Sequence, residues 1–188
     1  MACDLTQGRN VPCKDVVGGI KEVYFVDYGD LGTITINTSQ AGGDDELTNA
    51  TGTFTAYKYD VKGTNQMTQN FNVSRENGTT FFEQVLELQL TKLSKEDNKE
   101  LKLIAYGRPH VFVVDYNGNC FGLGLEHGCE VTAGTAVTGT AMGDLSGYTL
   151  SLTANETRLA SFVDGATPAD PFAGLASATA TITSGTNS

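Results

Sequence analysis

Apolar and polar residues alternate with a period of two along much of the chain, and this pattern predicts β-strands. The stretch 81–90 shows it most clearly. Its apolar side chains share one face of a strand: Phe82, Leu86, Leu88 and Leu90. The opposite face carries Glu83, Val85, Glu87 and Gln89. A strand of this kind buries one side against a second layer, so the pattern predicts a sheet with one buried face.

Further strands are predicted before this one. The segment Ile20 to Tyr28 is β-branched and aromatic, and residues 33–37 alternate Thr and Ile, so the two are expected to pair as a hairpin around a Gly-Asp-Leu-Gly turn. The segment Gln40 to Gly52 lacks periodicity and is predicted to be a projecting loop. Residues 53–61 and 67–74 are predicted strands, which would form an antiparallel meander with 81–90.

One helix is predicted between Leu93 and Pro109. Ser94 is a suitable N-cap, acidic residues follow it in the first turn, and Gly107 stands at the expected end. The apolar residues at helical spacing are Leu101, Ile104 and Ala105. This stripe is narrow, so the helix is expected to lie across one sheet as a cover.

A second hairpin is predicted around Asn117 and Gly118, the residue pair favoured in a tight type I′ turn. That turn would place Val114 opposite Phe121 and Phe112 opposite Leu123. Gly122 and Gly124 would then lie across from two valines on the other face. Two glycines facing valines leave a shallow strip that another backbone or sheet could approach closely.

The segment 129–163 contains Thr-rich strands. In the stretch 148–153, Tyr148, Leu150 and Leu152 alternate with Thr149, Ser151 and Thr153, which predicts one core face and one Thr-lined surface. Such strands need either protection or a partner chain when they lie at the edge of a sheet.

Composition and charge limit the classes of function that this chain can have. The chain has 188 residues and a formal charge of −10, with 12 basic against 22 acidic residues, so one acidic domain is expected and attraction to nucleic acid is not. No apolar run has the length of a membrane span, and the first residues lack the apolar core of a secretory signal. Synthesis in a reducing cytoplasm is therefore expected, with the four cysteines as free thiols.

No constellation for catalysis or cofactor binding is found. His110, His127 and Cys129 fall on one face of the second hairpin, but Cys120 points away and no zinc-binding spacing is present, so no metal is expected. The acidic residues around position 45 are predicted to form a solvated turn, not a general acid/base pair. The chain is therefore expected not to be an enzyme.

Three stretches carry a resemblance to a known family: 18–31 (GGIKEVYFVDYGDL), 113–130 (VVDYNGNCFGLGLEHGCE) and 139–156 (GTAMGDLSGYTLSLTANE). Together they resemble virion structural proteins of tailed bacteriophages, in particular tail-tube-like proteins. The resemblance implies a mainly β fold, an antiparallel β-sandwich or barrel with one flanking α-helix. It also implies hexameric rings that stack into a tube around a DNA channel.

The partners implied are copies of this chain and other virion structural proteins, with DNA passing without specific binding and no membrane. The location implied is the virion tail, assembled in the host bacterial cytoplasm. The chain divides into an N-terminal arm (1–17), a β-sandwich assembly domain (18–163) and a low-complexity C-terminal arm (164–188), which either adds a strand to a neighbour or stays a free tail. Expected assembly contacts are Asp44, Asp45, Glu46, Leu47, Gly122, Gly124, Phe172 and Leu175.

Two alternatives remain. A capsid decoration protein or a neck or connector protein of the same kind of virion would share these features but would not polymerise into a tube. A glycan-binding β-sandwich is the third possibility, although such modules usually expose Trp or Tyr platforms and this chain has no Trp.

Overall fold

The fold is seen in a computed structural model, which describes residues 8–11, 13–38 and 45–185. Its twelve strands and one helix form two main sheets, of six and four strands, and a two-stranded ribbon. The elements in chain order are β1 (Ile20–Val26), β2 (Ile34–Asn37), β3 (Glu46–Ala50), β4 (Thr53–Asp60), β5 (Gln66–Ser74), β6 (Thr79–Thr91), α1 (Lys95–Tyr106), β7 (His110–Asp115), β8 (Cys120–Leu123), β9 (Glu130–Val137), β10 (Gly147–Glu156), β11 (Ser161–Phe162) and β12 (Thr179–Ser184). The predicted fold class, mainly β with antiparallel sheets and one helix, is confirmed.

The six-stranded sheet, in the order β11-β8-β7-β1-β4-β12, forms the middle of the molecule, and its central strands β7 and β1 are buried on both faces. On one face, Tyr24 and Phe112 pack under the ribbon of β2 and β3 and under the C-terminal segment. On the other face, Val23 and Val113 pack against the four-stranded sheet. Strands that are buried on both sides contain continuous runs of apolar residues, as in residues 23–26 of β1 and 111–114 of β7.

The four-stranded sheet, in the order β5-β6-β10-β9, buries one face only. Leu86 and Leu88 of β6 and Leu152 of β10 point into the core between the sheets, which confirms the predicted alternation in both strands. Ile104 of helix α1 packs against this core, and Leu101 of the same helix is buried. The hydroxyl of its N-cap Ser94 accepts from the backbone N–H of Asp97 at 2.9 Å, so the predicted cap is confirmed.

Strand pairing departs from the prediction in the first part of the chain. β1 pairs with β4 and β7, whereas β2 pairs with β3, so the predicted hairpin of the first two strands is wrong. The predicted loop Gln40 to Gly52 is also wrong in part, because β3 occupies residues 46–50. Likewise β4 and β5 lie in different sheets and do not form a meander, although β5 and β6 form the expected hairpin. Each strand's partner is set by contacts between residues that are far apart in the sequence. The local alternation of apolar and polar residues carries no information about such contacts.

The register predicted for the second hairpin is wrong by one residue. Val114 lies opposite Cys120, Val113 opposite Phe121 and Phe112 opposite Gly122. The loop has three residues instead of two, because the backbone N–H of Asp115 donates to the carbonyl of Asn119 at 3.0 Å and Gly118 takes a φ of 88°. The carboxylate of Asp115 also accepts from the backbone N–H groups of Asn117 and Asn119, which fixes this longer turn.

The C-terminal segment packs on its own chain. β12 adds a parallel strand to β4 at the edge of the six-stranded sheet. Phe172 and Leu175 are buried in the same part of the core as the ribbon of β2 and β3, and their exposed fractions are 4% and 3%. The prediction that this segment either adds a strand to a neighbour or stays a free tail is therefore wrong, and Phe172 and Leu175, expected as assembly contacts, lie in the core of their own chain.

Candidate assembly surface and carboxylate-histidine cluster

The predicted contact residues near position 45 lie in three different environments. Asp45 is exposed in a left-handed conformation with a φ of 54°, and Glu46 is half-buried at the start of β3. Leu47 is fully buried in the core of its own chain. Asp44 lies outside the described residues. Of the three residues of this group that the structure describes, only Asp45 and Glu46 are placed where another chain could reach them.

Gly122 and Gly124 are interior and do not form the predicted strip. A Cβ atom at Gly122 would lie 3.0 Å from Cδ2 of Leu125, so a side chain of the same chain covers this glycine. A Cβ atom at Gly124 would lie 2.6 Å from the carbonyl carbon of Gly128, and Gly124 has a φ of 62°. Both glycines are required by close approaches within the chain.

The outer face of the four-stranded sheet is polar and lacks basic residues. None of the residues of β5, β6, β9 and β10 is Lys or Arg. Cross-strand hydrogen bonds tie the face together: Asn70 donates to Glu83 at 2.9 Å, and Thr132 and Thr153 share a bond at 3.2 Å. The result is a mainly polar surface of hydroxyl, amide and carboxylate groups, interrupted by apolar residues such as Phe81 and Val85 of β6.

Both edges of this sheet, β5 and β9, have no neighbouring strand among the described residues. Apolar side chains are exposed along these edges. Val73 of β5 is 68% exposed, Phe71 of β5 is 65% exposed, and Val137 of β9 is 37% exposed. Open edges with exposed apolar residues are the feature that soluble monomers avoid and that assemblies use.

A buried polar network lies behind the connection between β8 and β9. The side-chain carbonyl of Gln84 accepts from the backbone N–H of Gly124 at 3.0 Å, and Nδ1 of His110 bonds to the Gly124 carbonyl at 2.7 Å. The Nε2 atom of His110 accepts from the backbone N–H of Gly29 at 3.2 Å, so the ring is a neutral, fully bonded imidazole. Burial lowers the pKa of His110, against an opposing effect of the bond to Gly124.

A second histidine belongs to a cluster that the sequence did not predict. Side-chain atoms of Glu126, His127 and Glu156 that can bind a metal lie within 4.8 Å of one another. The residues His110, His127 and Cys129, which were not expected to bind a metal, do not form such a group, because His110 and Cys129 are buried in the core. Glu126 and His127 are adjacent in sequence, but only the end of β10 brings Glu156 to them, and no spacing rule could have found it.

The two buried cysteines lie in separate parts of the core. Cys120 packs in the cluster under the C-terminal segment, and Cys129 packs between the two main sheets. Burial raises the pKa of each thiol well above its ordinary value. Both groups therefore stay protonated, whereas Cys13 is exposed.

No protein-family model, no curated protein and no solved structure matches this chain. In the part of the chain that the structure describes, no helix has the length and apolar character needed to cross a membrane.

Proposed function

We propose that this chain is a structural subunit of a bacteriophage virion, most directly the tail tube protein, which forms stacked rings around a DNA channel. The observation that carries the proposal is the four-stranded sheet with one core face, one polar face and two open edges. It supports the family resemblance found in three stretches of the sequence.

Strand direction favours closure of this sheet into a ring. β5, β6, β10 and β9 alternate in direction, so β5 and β9 run opposite to each other. A copy rotated about a ring axis would bring its β5 beside β9 of the first copy in an antiparallel arrangement. The two edge strands also match in length, with nine residues in β5 and eight in β9. A repeated head-to-tail contact of this kind closes into a ring when the rotation permits it.

The polar face suits the lining of a DNA channel. Glu83 and Glu87 on β6 are the charged residues at the centre of this face. The four strands contain no Lys or Arg that could bind phosphate groups. Binding to DNA depends on neutralising phosphates with basic residues, so such a wall would let DNA slide past. The overall charge of −10 adds to the same effect.

The test is sedimentation of the full-length chain and of a variant altered at one edge. Val73→Glu adds a negative charge to β5, which would face a β9 strand whose only charged residue is Glu130. Rings or longer assemblies are expected for the unaltered chain and monomers for the variant. The matched control is Tyr106→Glu, because Tyr106 is 77% exposed at the C-terminal end of α1 and belongs to neither β5 nor β9.

The outcomes separate the alternatives. Assembly that is lost in Val73→Glu and kept in Tyr106→Glu supports pairing through β5. Single rings that never stack would favour a neck or connector protein. An unaltered chain that stays monomeric at high concentration would overturn the proposal.

A further inference from the structure

We propose that Glu126, His127 and Glu156 form a binding site for a divalent transition-metal ion of the zinc type. The three side chains offer one imidazole nitrogen and two carboxylate oxygens within 4.8 Å of one another. Imidazole and carboxylate groups are donors that Zn²⁺ uses in sites with three protein ligands and a water molecule. This inference does not depend on the assembly role proposed above.

Glu156 is the residue that makes the site more than a surface cluster. Its side chain is only 1% exposed, and its Oε1 accepts from the backbone N–H groups of Glu126 and His127 at 3.2 and 2.9 Å. Among the described residues, its Oε2 has one partner, Nδ1 of His127, at 3.4 Å. That distance exceeds the usual range of about 2.7–3.2 Å, so Oε2 keeps lone pairs available next to the imidazole.

A buried carboxylate is costly unless a cation compensates it. The guanidinium nearest to the cluster, that of Arg158, contacts Oε1 of Glu126 at 3.1 Å and not Glu156. The cation that already lies beside Glu156 is His127 in its protonated form, and a metal ion bound between the two side chains would supply a positive charge in place of that proton. Because the side chain of His127 is 63% exposed, the ion and its water ligand have a path from solvent.

Glu126 is held in position by the residues that follow β10. Its Oε2 accepts from the hydroxyl of Thr157 at 3.0 Å, and its Oε1 accepts from Nε of Arg158 at 3.2 Å. These contacts orient the carboxylate toward the other two ligands. Arg158 also competes with a metal ion for the same carboxylate, so its removal should strengthen metal binding.

The experiment is calorimetric titration of the full-length chain with Zn²⁺. Cys13 is first replaced by Ser, because it is exposed and cysteine binds zinc, and Cys3 is replaced as well so that the remaining cysteines are the buried Cys120 and Cys129. One ion per chain is expected, with a rise in the thermal unfolding temperature when zinc is present. His127→Ala should weaken binding at least about tenfold, since it removes a ligand.

Two further variants distinguish this site from loose binding to an acidic surface. Arg158→Gln should bind zinc more tightly than the parent. Glu76→Gln, which removes an exposed carboxylate in the turn between β5 and β6, should leave the affinity unchanged. Absence of saturable binding, or binding that is equal in the parent and in His127→Ala, would overturn the proposal.

Discussion

The ring of Phe172 packs edge-on against the ring of Phe112, with the ring centroids 5.0 Å apart. Phe172 makes the same kind of contact with Tyr24 and Phe54, so one residue of the C-terminal segment meets three strands of the central sheet. Edge-to-face aromatic pairs add to the free energy gained by burial. Phe172 therefore ties the C-terminal segment to the core.

Phe172→Ala should lower the free energy of unfolding by about 3–5 kcal/mol, the usual cost of removing a buried phenyl group. Urea denaturation followed by circular dichroism measures the change. Phe162→Ala is the matched control, because Phe162 is 44% exposed and should lose much less. Equal losses in the two variants would mean that the C-terminal segment does not contribute to the core.

Local sequence patterns predicted which segments form strands or the helix better than they predicted which strands pair with each other. The alternation in β6 and β10 and the capping residue Ser94 depend on neighbours in sequence, and the structure confirms them. The pairing of β1 with β7 joins residues about ninety positions apart in the chain, which no local pattern encodes. Phe172 and Leu175 were predicted to contact a neighbouring chain, and not to join the core of their own chain, because Ala, Gly, Ser and Thr surround this short apolar motif.

The two glycines after β7 should respond differently to Ala. Gly122→Ala places a methyl group against the end of the Leu125 side chain, which can shift, at a cost of about 1–3 kcal/mol. Gly124→Ala meets backbone atoms of Gly128 and Cys129 and also requires a left-handed conformation, which adds roughly 1–2 kcal/mol. Thermal unfolding should therefore rank Gly124→Ala as the less stable variant. The reverse order would contradict the close approach at Gly124.

Stability should fall in mild acid because of His110. Its pKa is lowered in the folded chain, so the unfolded chain binds a proton first as the pH falls below about 6.5. Above that pH the contribution of the neutral ring is complete. Below it, stability should decline with a slope of up to about 1.4 kcal/mol per pH unit. The lowered pKa values of Glu22 and Asp115 act at lower pH, because their unfolded pKa values lie near 4.

Urea unfolding at pH 7.5, 6.5 and 5.5 (conditions spaced about one unit apart around the unfolded pKa) tests this dependence. His110→Gln should flatten the decline, because it removes the group whose pKa burial lowers. An unchanged slope in His110→Gln would show that other groups cause the acid sensitivity.

In the candidate site too, features set by neighbouring residues were predicted, and features set by residues far apart in the sequence were not. The Asn-Gly pair correctly predicted a turn at Gly118, but the carboxylate of Asp115 selected a three-residue loop and moved the register. The predicted contacts at Gly122 and Gly124 depended on that register and were lost with it. Glu156 reaches Glu126 and His127 only through the pairing of β10 in the four-stranded sheet.

Electron microscopy of the purified full-length chain in negative stain tests the central claim most directly. The open edges of β5 and β9 predict rings with a central channel, and the tail tube role predicts that these rings stack into tubes of constant diameter. The four-stranded sheet should line the channel. Uniform monomers at the highest soluble concentration would contradict the account.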